Sequence, residues 1–281
     1  MNSIEVKNLT KSFGDFTLKD LSFNVPSGTI MGLVGENGAG KSTAIKLIMN
    51  TLKADNGEVS ALGVSNLSKE FTNLKQDIGV VLDEAYFPEV LNAKNINNIM
   101  KLIYKNWNED SYFEYIKKFS LPLTKIFKDF SRGMKMKLSI AVALSHNPKL
   151  LILDEATSGL DPMVRDEILD VFNDFTRDEN HSILLSSHII SDLEKICDYI
   201  CFIHKGELLL VEEKDLLLEK YAVIKLTKNQ LETLPKDSIV RKNRTSFGYE
   251  VLVQKDKINA AFRVENTRLE DIILLMVKEG V

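Results

Sequence analysis

The residues Gly35-Glu36-Asn37-Gly38-Ala39-Gly40-Lys41-Ser42 form an unbroken G-x-x-x-x-G-K-S run. Thr29 to Val34, ahead of it, is an apolar stretch that reads as a buried β-strand, and Ser42 to Met49, behind it, reads as a helix. Strand, glycine loop and helix in that order make a phosphate-binding loop, because the glycines let successive backbone N–H groups turn inward onto an anion. The helix N-terminus adds its partial positive charge. Lys41 is expected to reach the β- and γ-phosphates of a nucleotide, and the Ser42 hydroxyl to bind Mg²⁺. An ordinary glycine turn before a helix would explain the glycines, but not the Gly-Lys-Ser ending between two fitting flanks.

The chain has 281 residues and a hydrophobic fraction of 44%, enough for one large domain or for a domain with an appendage. Its 36 Lys and Arg against 40 Asp and Glu leave a net charge of −4, so no basic footprint for nucleic acid or an anionic bilayer exists, and no nucleic-acid partner is expected. Its two cysteines, Cys197 and Cys201, lie among apolar neighbours at or across a helix end. Small buried apolar residues in a reducing cytosol are the simplest reading, since a metal site or disulfide framework needs more ligands. Met1-Asn2-Ser3-Ile4-Glu5 shows no basic-then-apolar leader, so no secretion signal is expected. No apolar run approaches the roughly 20 residues that span a bilayer. If the chain serves a membrane process, another polypeptide is expected to provide the membrane part.

Taken in order, Ser3 to Phe13 and Leu18 to Pro26 read as antiparallel strands joined at Gly14-Asp15. Phe13, just before the turn, suits either stacking on an adenine ring or packing at a strand end. Lys53 to Val59 is a turn into a short strand, and Ile78 to Leu82 is a buried strand ending at Asp83-Glu84. From about 86 to 147, apolar residues recur at helical spacing, which predicts a helical insertion with Tyr104, Trp107, Tyr112 and Tyr115 as its own core. Leu150 to Leu153 is a central strand with Asp154-Glu155 at its C-terminal end, where ligands lie in open α/β sheets. There Asp154 can hold Mg²⁺, and Glu155 can polarise an attacking water. Ile183 to Ser187 repeats the pattern, ending at His188, which can donate a hydrogen bond to the γ-phosphate. Beyond about 212 the pattern changes to a small α+β appendage, residues 212–281, that ends in an amphipathic helix from about Leu269 to Lys278 and shows no catalytic constellation.

Asp129-Phe130-Ser131-Arg132-Gly133-Met134-Lys135-Met136-Lys137 stands upstream of the Asp154-Glu155 strand, with Ser158-Gly159-Leu160-Asp161 and then His188 downstream. Together with the glycine loop, this order resembles the ATP-binding cassette (ABC) ATPases, the nucleotide-binding subunits of ABC transporters, over residues 3 to 210. The resemblance implies an α/β fold. It has a mixed sheet, an N-terminal antiparallel β subdomain and a helical insertion at about 86–147, all within an ATPase domain at 1–211, with the appendage at 212–281. It also implies ATP and Mg²⁺ as ligands. Phe13 then falls at the adenine-stacking position. Gly35, Asn37, Gly38, Ala39, Gly40, Lys41, Ser42 and Thr43 contact nucleotide as the Walker A loop and first helical turn. Asp154 falls on Walker B, Glu155 on the catalytic glutamate, Asp161 on the D-loop and His188 on the switch histidine. Ser131, Arg132 and Gly133 fall on the signature that reaches the nucleotide of a second copy in a head-to-tail dimer. A separate transmembrane permease is the further partner, which would hold the chain at the cytoplasmic face of the membrane.

Three positions depart from the family pattern. Arg132 and Met134 replace the usual signature Gly and Gln. Asp83 stands where the family places a Mg²⁺-associated glutamine; it is acceptor-only, so it can hold a Mg²⁺ water but cannot donate to a phosphate oxygen, with Glu84 beside it as a second candidate. These departures and the appendage resemble the ABC-2-type exporter ATPases, a branch that includes bacterial exporters of antimicrobial peptides and toxic amphiphiles. Soluble ABC factors of translation or assembly are the alternative; those usually carry two cassettes or a long coiled-coil insertion, or lack such an appendage.

Overall fold

The computed structural model describes residues 1–83, 87–259, 262 and 267–277. Strands β1 (Asn2–Phe13) and β2 (Phe16–Pro26) form a hairpin whose turn places Gly14 at φ +47°. After β3 (Ile30–Val34) and α1 (Lys41–Ile48), β4 (Asn56–Ala61) returns to pair with β1, and β5 (Val64–Ser65) completes an antiparallel sheet in the order β2-β1-β4-β5. Next come α2 (Glu70–Leu74) and β6 (Ile78–Val81). The insertion follows as α3 (Ala93–Ile103), α4 (Glu109–Lys118) and α5 (Arg132–Leu144). Then β7 (Leu150–Asp154), α6 (Pro162–Phe175), β8 (Ser182–Ser187), α7 (Ile190–Ile196) and β9 (Tyr199–His204) alternate as βα units, and β10 (Glu207–Glu213) closes the edge.

The second sheet runs β10-β9-β3-β8-β7-β6, parallel except for β10, which is the mixed sheet expected. Both its faces are covered, which is why its central strands are apolar without interruption. Along β7, Leu150 and Ile152 join the core shared with α1 and the antiparallel sheet, while Leu151 and Leu153 join the core shared with α5, α6 and α7. That alternation is the two-residue period of a strand acting on two separate cores. The sheet therefore sits between two layers, with α1 on one side.

The insertion builds a small core from its aromatics. Tyr112 is fully buried and donates through its hydroxyl to the Ala93 carbonyl at 2.9 Å; the Trp107 indole donates to Asn97 Oδ1 at 2.9 Å. Tyr104 stacks on buried His146, with ring centroids 4.0 Å apart. Asn92 and Asn108 cap α3 and α4. No helix among the described residues is long and apolar enough to cross a membrane.

The boundary drawn at 211 falls within a strand: β10 continues past Val211 to Glu213, paired with β9 throughout. Beyond it lie α8 (Lys214–Lys220), β11 (Tyr221–Leu226), α9 (Lys228–Thr233), β12 (Ile239–Thr245), β13 (Gly248–Gln254) and α10 (Leu269–Val277), with a three-stranded sheet in the order β11-β13-β12. Val251 and Val253 of β13 face one apolar cluster, and Leu252 faces another, where Ile272 and Leu275 of α10 cover it. An adjacent face of α10, Leu269 and Ile273, packs into the main cassette core. One helix thus seals two cores, so the last segment is joined to the cassette by buried apolar contact, each such side chain worth about 1.5–3 kcal/mol of transfer free energy. The end of this helix expected at Lys278 lies outside the described residues.

Candidate active site

The glycine loop leaves β3 at the C-terminal edge of the six-stranded sheet. Gly35 is needed because a Cβ there would sit 2.5 Å from the Ile203 carbonyl oxygen of the neighbouring strand. Gly40, at φ +113°, lies over Phe16 and Leu18 of the antiparallel sheet, where a Cβ would come within 2.8 Å of Leu18. Gly40 also caps α1 without a side-chain acceptor, so the first-turn N–H groups of α1 stay available to a ligand. The loop is braced by Ala39 N–H to the Glu36 carbonyl and Gly206 N–H to the Ala39 carbonyl, both 3.1 Å, and Glu36 pairs with His204 at 3.2 Å. Asn37 and Gly38 are exposed at its tip, while Ser42 and Thr43 are half-buried at the start of α1.

Lys41 is 5% exposed. Its ammonium donates to the Gly35 carbonyl at 2.8 Å and the Glu36 carbonyl at 3.2 Å, and lies 3.2 Å from Glu155 Oε1. The second carboxylate oxygen of Glu155 meets His188 Nδ1 at 2.7 Å. One carboxylate thus spans the loop lysine and the histidine at the tip of β8. Glu155 occupies left-handed backbone (φ +53°), a conformation that costs a non-glycine residue about 1–3 kcal/mol and that persists only where neighbours enforce it. Ser186 is the enforcing neighbour: its carbonyl and its hydroxyl both accept from the Glu155 N–H at 3.1 Å, and its hydroxyl donates to Asp154 Oδ1 at 2.5 Å. A single serine on β8 therefore orients both acids at the end of β7. Its signal in the sequence is the Ser186-Ser187 pair that ends an otherwise apolar strand just before His188.

The structure brings Lys41, Asp154, Glu155 and His188 to one sheet edge with the loop. Phe13, 42% exposed, stands at the β1–β2 tip with Lys11 Nζ 5.6 Å above its ring; its cross-strand partner Phe16 is the residue beneath Gly40. Ser131, Arg132 and Gly133 form a separate group at the N-terminus of α5, where the Ser131 hydroxyl accepts from Met134 N–H at 3.3 Å. Asp161 caps α6 through Val164 N–H at 3.0 Å, ahead of Pro162, and leaves its exposed carboxylate at the end of the β7–α6 loop. Asp83 is engaged by Arg132, whose Nη2 donates to Asp83 Oδ1 at 3.0 Å. Glu84, the second candidate there, lies outside the described residues.

Among the described residues no group of three or more His, Cys, Asp or Glu gathers to hold a metal by itself. Cys197 and Cys201 are both fully buried, and burial pushes both thiols up from their ordinary range, which makes them inert apolar packing. Behind the loop lies a cavity of about 200 Å³, walled by Gly35, Glu36, His188 and His204 on the cassette side and by Ile273 and Val277 of α10.

The chain is similar to known proteins over about three quarters of its length. The family model "ABC transporter" matches residues 18–158. The ABC transporter ATP-binding protein YtrB of Bacillus subtilis is 32% identical over 224 residues, covering 79% of this chain and 76% of the relative. The bacitracin transport ATP-binding protein BcrA of Enterococcus faecalis is 34% identical over 215 residues, covering 75% and 68%. A solved ATP-binding subunit of an ABC transporter superposes with a TM-score of 0.69 at 28% identity, covering 76% of this chain and 91% of that one.

Proposed function

Because the chain belongs to the family of ABC transporter ATP-binding proteins, we propose that it is the ATP-hydrolysing subunit of a bacterial exporter. It works as a head-to-tail pair that drives a separate transmembrane permease, which holds it at the cytoplasmic face of the membrane. The observation that carries this reading is the Lys41–Glu155–His188 cluster at the glycine loop, with contacts of 3.2 and 2.7 Å. Lys41 and the loop amides from Gly35 to Thr43 hold the phosphates, and Phe13 stacks on the adenine. Ser42 and Asp154 fit Mg²⁺: a hydroxyl and a carboxylate are hard oxygen donors, and Ser186 occupies only one oxygen of Asp154. When bound, the ion neutralises charge developing on the β- and γ-phosphates. Glu155, already hydrogen-bonded to His188, is placed to orient water for attack, and His188 can turn its other nitrogen to the γ-phosphate. Ser131 and Gly133 complete the site of a partner copy from the N-terminus of α5, with Asp161 alongside.

The cargo is assigned to peptides or other toxic amphiphiles. The support is the name of the bacitracin transport relative and the Asp83, Arg132 and Met134 departures. A cytosolic ATPase can act on such a cargo only through a membrane subunit that binds it. Affinity purification of the tagged chain from detergent-solubilised membranes of its native host should recover a multi-span membrane protein with it in fixed ratio. Recovery of the chain alone, from both membrane and soluble fractions, would contradict the transporter assignment.

A further inference from the structure

Two of the three positions that depart from the family pattern, Asp83 and Arg132, are bonded to each other. They lie 49 residues apart in the chain. Arg132 has a second neighbour. A Cβ built on Gly159, at φ +67°, would sit 2.6 Å from Arg132 Nη1 and 2.8 Å from its Cζ. The guanidinium therefore lies flat against the bare backbone of residue 159, held between the end of β6 and the loop that leads to Asp161. Any side chain at 159 would evict it. Arg132 is also the first residue of α5, next to the Ser131 cap, on the helix end that the proposed dimer turns toward a partner's nucleotide.

Resting on that dimer reading, we infer that Arg132 binds a phosphate of the partner subunit's nucleotide, and that Asp83 is its counter-ion in the separate subunit, not a ligand of Mg²⁺. Both side chains are about half exposed, at 55% and 49%, so the ion pair contributes little and is easily exchanged. A triphosphate presents more negative charge and planar pairs of oxygens that match a guanidinium fork, so it outcompetes one exposed carboxylate. Closing of the dimer then transfers Arg132 from Asp83 to phosphate. The carboxylate acts as a placeholder that keeps the guanidinium folded over Gly159 and tunes the nucleotide concentration at which two subunits join.

The test measures ATP-driven dimerisation by light scattering, titrating ATP at several Mg²⁺ concentrations, in a Glu155→Gln parent that consumes the nucleotide only slowly. Asp83→Asn removes the competing charge and should lower the half-saturating ATP concentration by about two- to five-fold. Arg132→Gln should raise it by about tenfold or more. The double variant should match Arg132→Gln alone, because Asp83 acts only through Arg132. Unfolding midpoints should stay with the parent, since neither side chain is buried. An Asp83→Asn variant that needs more ATP or more Mg²⁺, or a double variant weaker than Arg132→Gln, would overturn the inference and return Asp83 to the metal. A parent that forms no ATP-dependent dimer would instead overturn the head-to-tail reading beneath it.

Discussion

Replacing Glu155 with Gln should cut ATP turnover by about 10²–10⁴-fold while leaving nucleotide binding in place. The change keeps the size and planarity of the side chain and removes only its charge and basicity. His188 can still meet the amide at the 2.7 Å contact, as donor or acceptor according to its tautomer. The backbone at φ +53° is held by Ser186 through the main-chain N–H, which the substitution does not touch. Binding geometry therefore survives and the proton acceptor is lost, so the fall should appear in kcat with little change in the concentration of ATP needed for half saturation. Steady-state phosphate release alongside nucleotide-binding titration measures both. Wild-type turnover in this variant would remove Glu155 from the role of base.

Replacing Lys41 with Ala should reach the phosphate grip itself. Its ammonium, 5% exposed and bonded to two loop carbonyls, is the one buried cation at this edge among the described residues. Its loss removes the cation from the β- and γ-phosphates and leaves the largely buried Glu155 carboxylate without the charge 3.2 Å away. Turnover should fall by about 10²–10³-fold or more, and ATP affinity should fall with it, which separates this variant from Glu155→Gln. Arginine should not restore function, because a planar fork cannot occupy the place of a compact ammonium in so enclosed a site. Equilibrium binding of ATP to Lys41→Ala, Lys41→Arg and the parent checks this; undiminished affinity in Lys41→Ala would mean that the lysine is structural.

Much of this site was legible because its residues lie in short contiguous runs with strong local rules. A glycine loop between strand and helix, and two acids ending an apolar strand, reveal their place in an α/β sheet without any long-range information. The insertion was legible for a similar reason, since Ile96, Ile99 and Ile103 and then Phe113 and Ile116 recur at helical spacing, and Tyr112 and Trp107 pack locally. What the sequence did not reveal depends on distant segments meeting. Asp83 and Arg132 each look anomalous alone, and only the fold joins them. Ser186 reads as a strand end until β8 is set beside β7. The α10 helix reads as an ordinary amphipathic end, yet Leu269 and Ile273 enter one core while Ile272 and Leu275 enter another. An apolar period records that a face is buried, and it does not record which partner buries it.

The central claim is that each nucleotide is hydrolysed between two copies, with Lys41 and Glu155 from one and the Ser131–Gly133 helix end from the other. The most direct measurement is ATPase activity per subunit as a function of protein concentration at saturating Mg²⁺–ATP. An interfacial site predicts that specific activity rises with concentration and levels off as the dimer fills, and that an excess of a Lys41→Ala chain alters the activity of the parent by forming mixed pairs. Specific activity that stays constant down to concentrations where light scattering shows only monomer would contradict it.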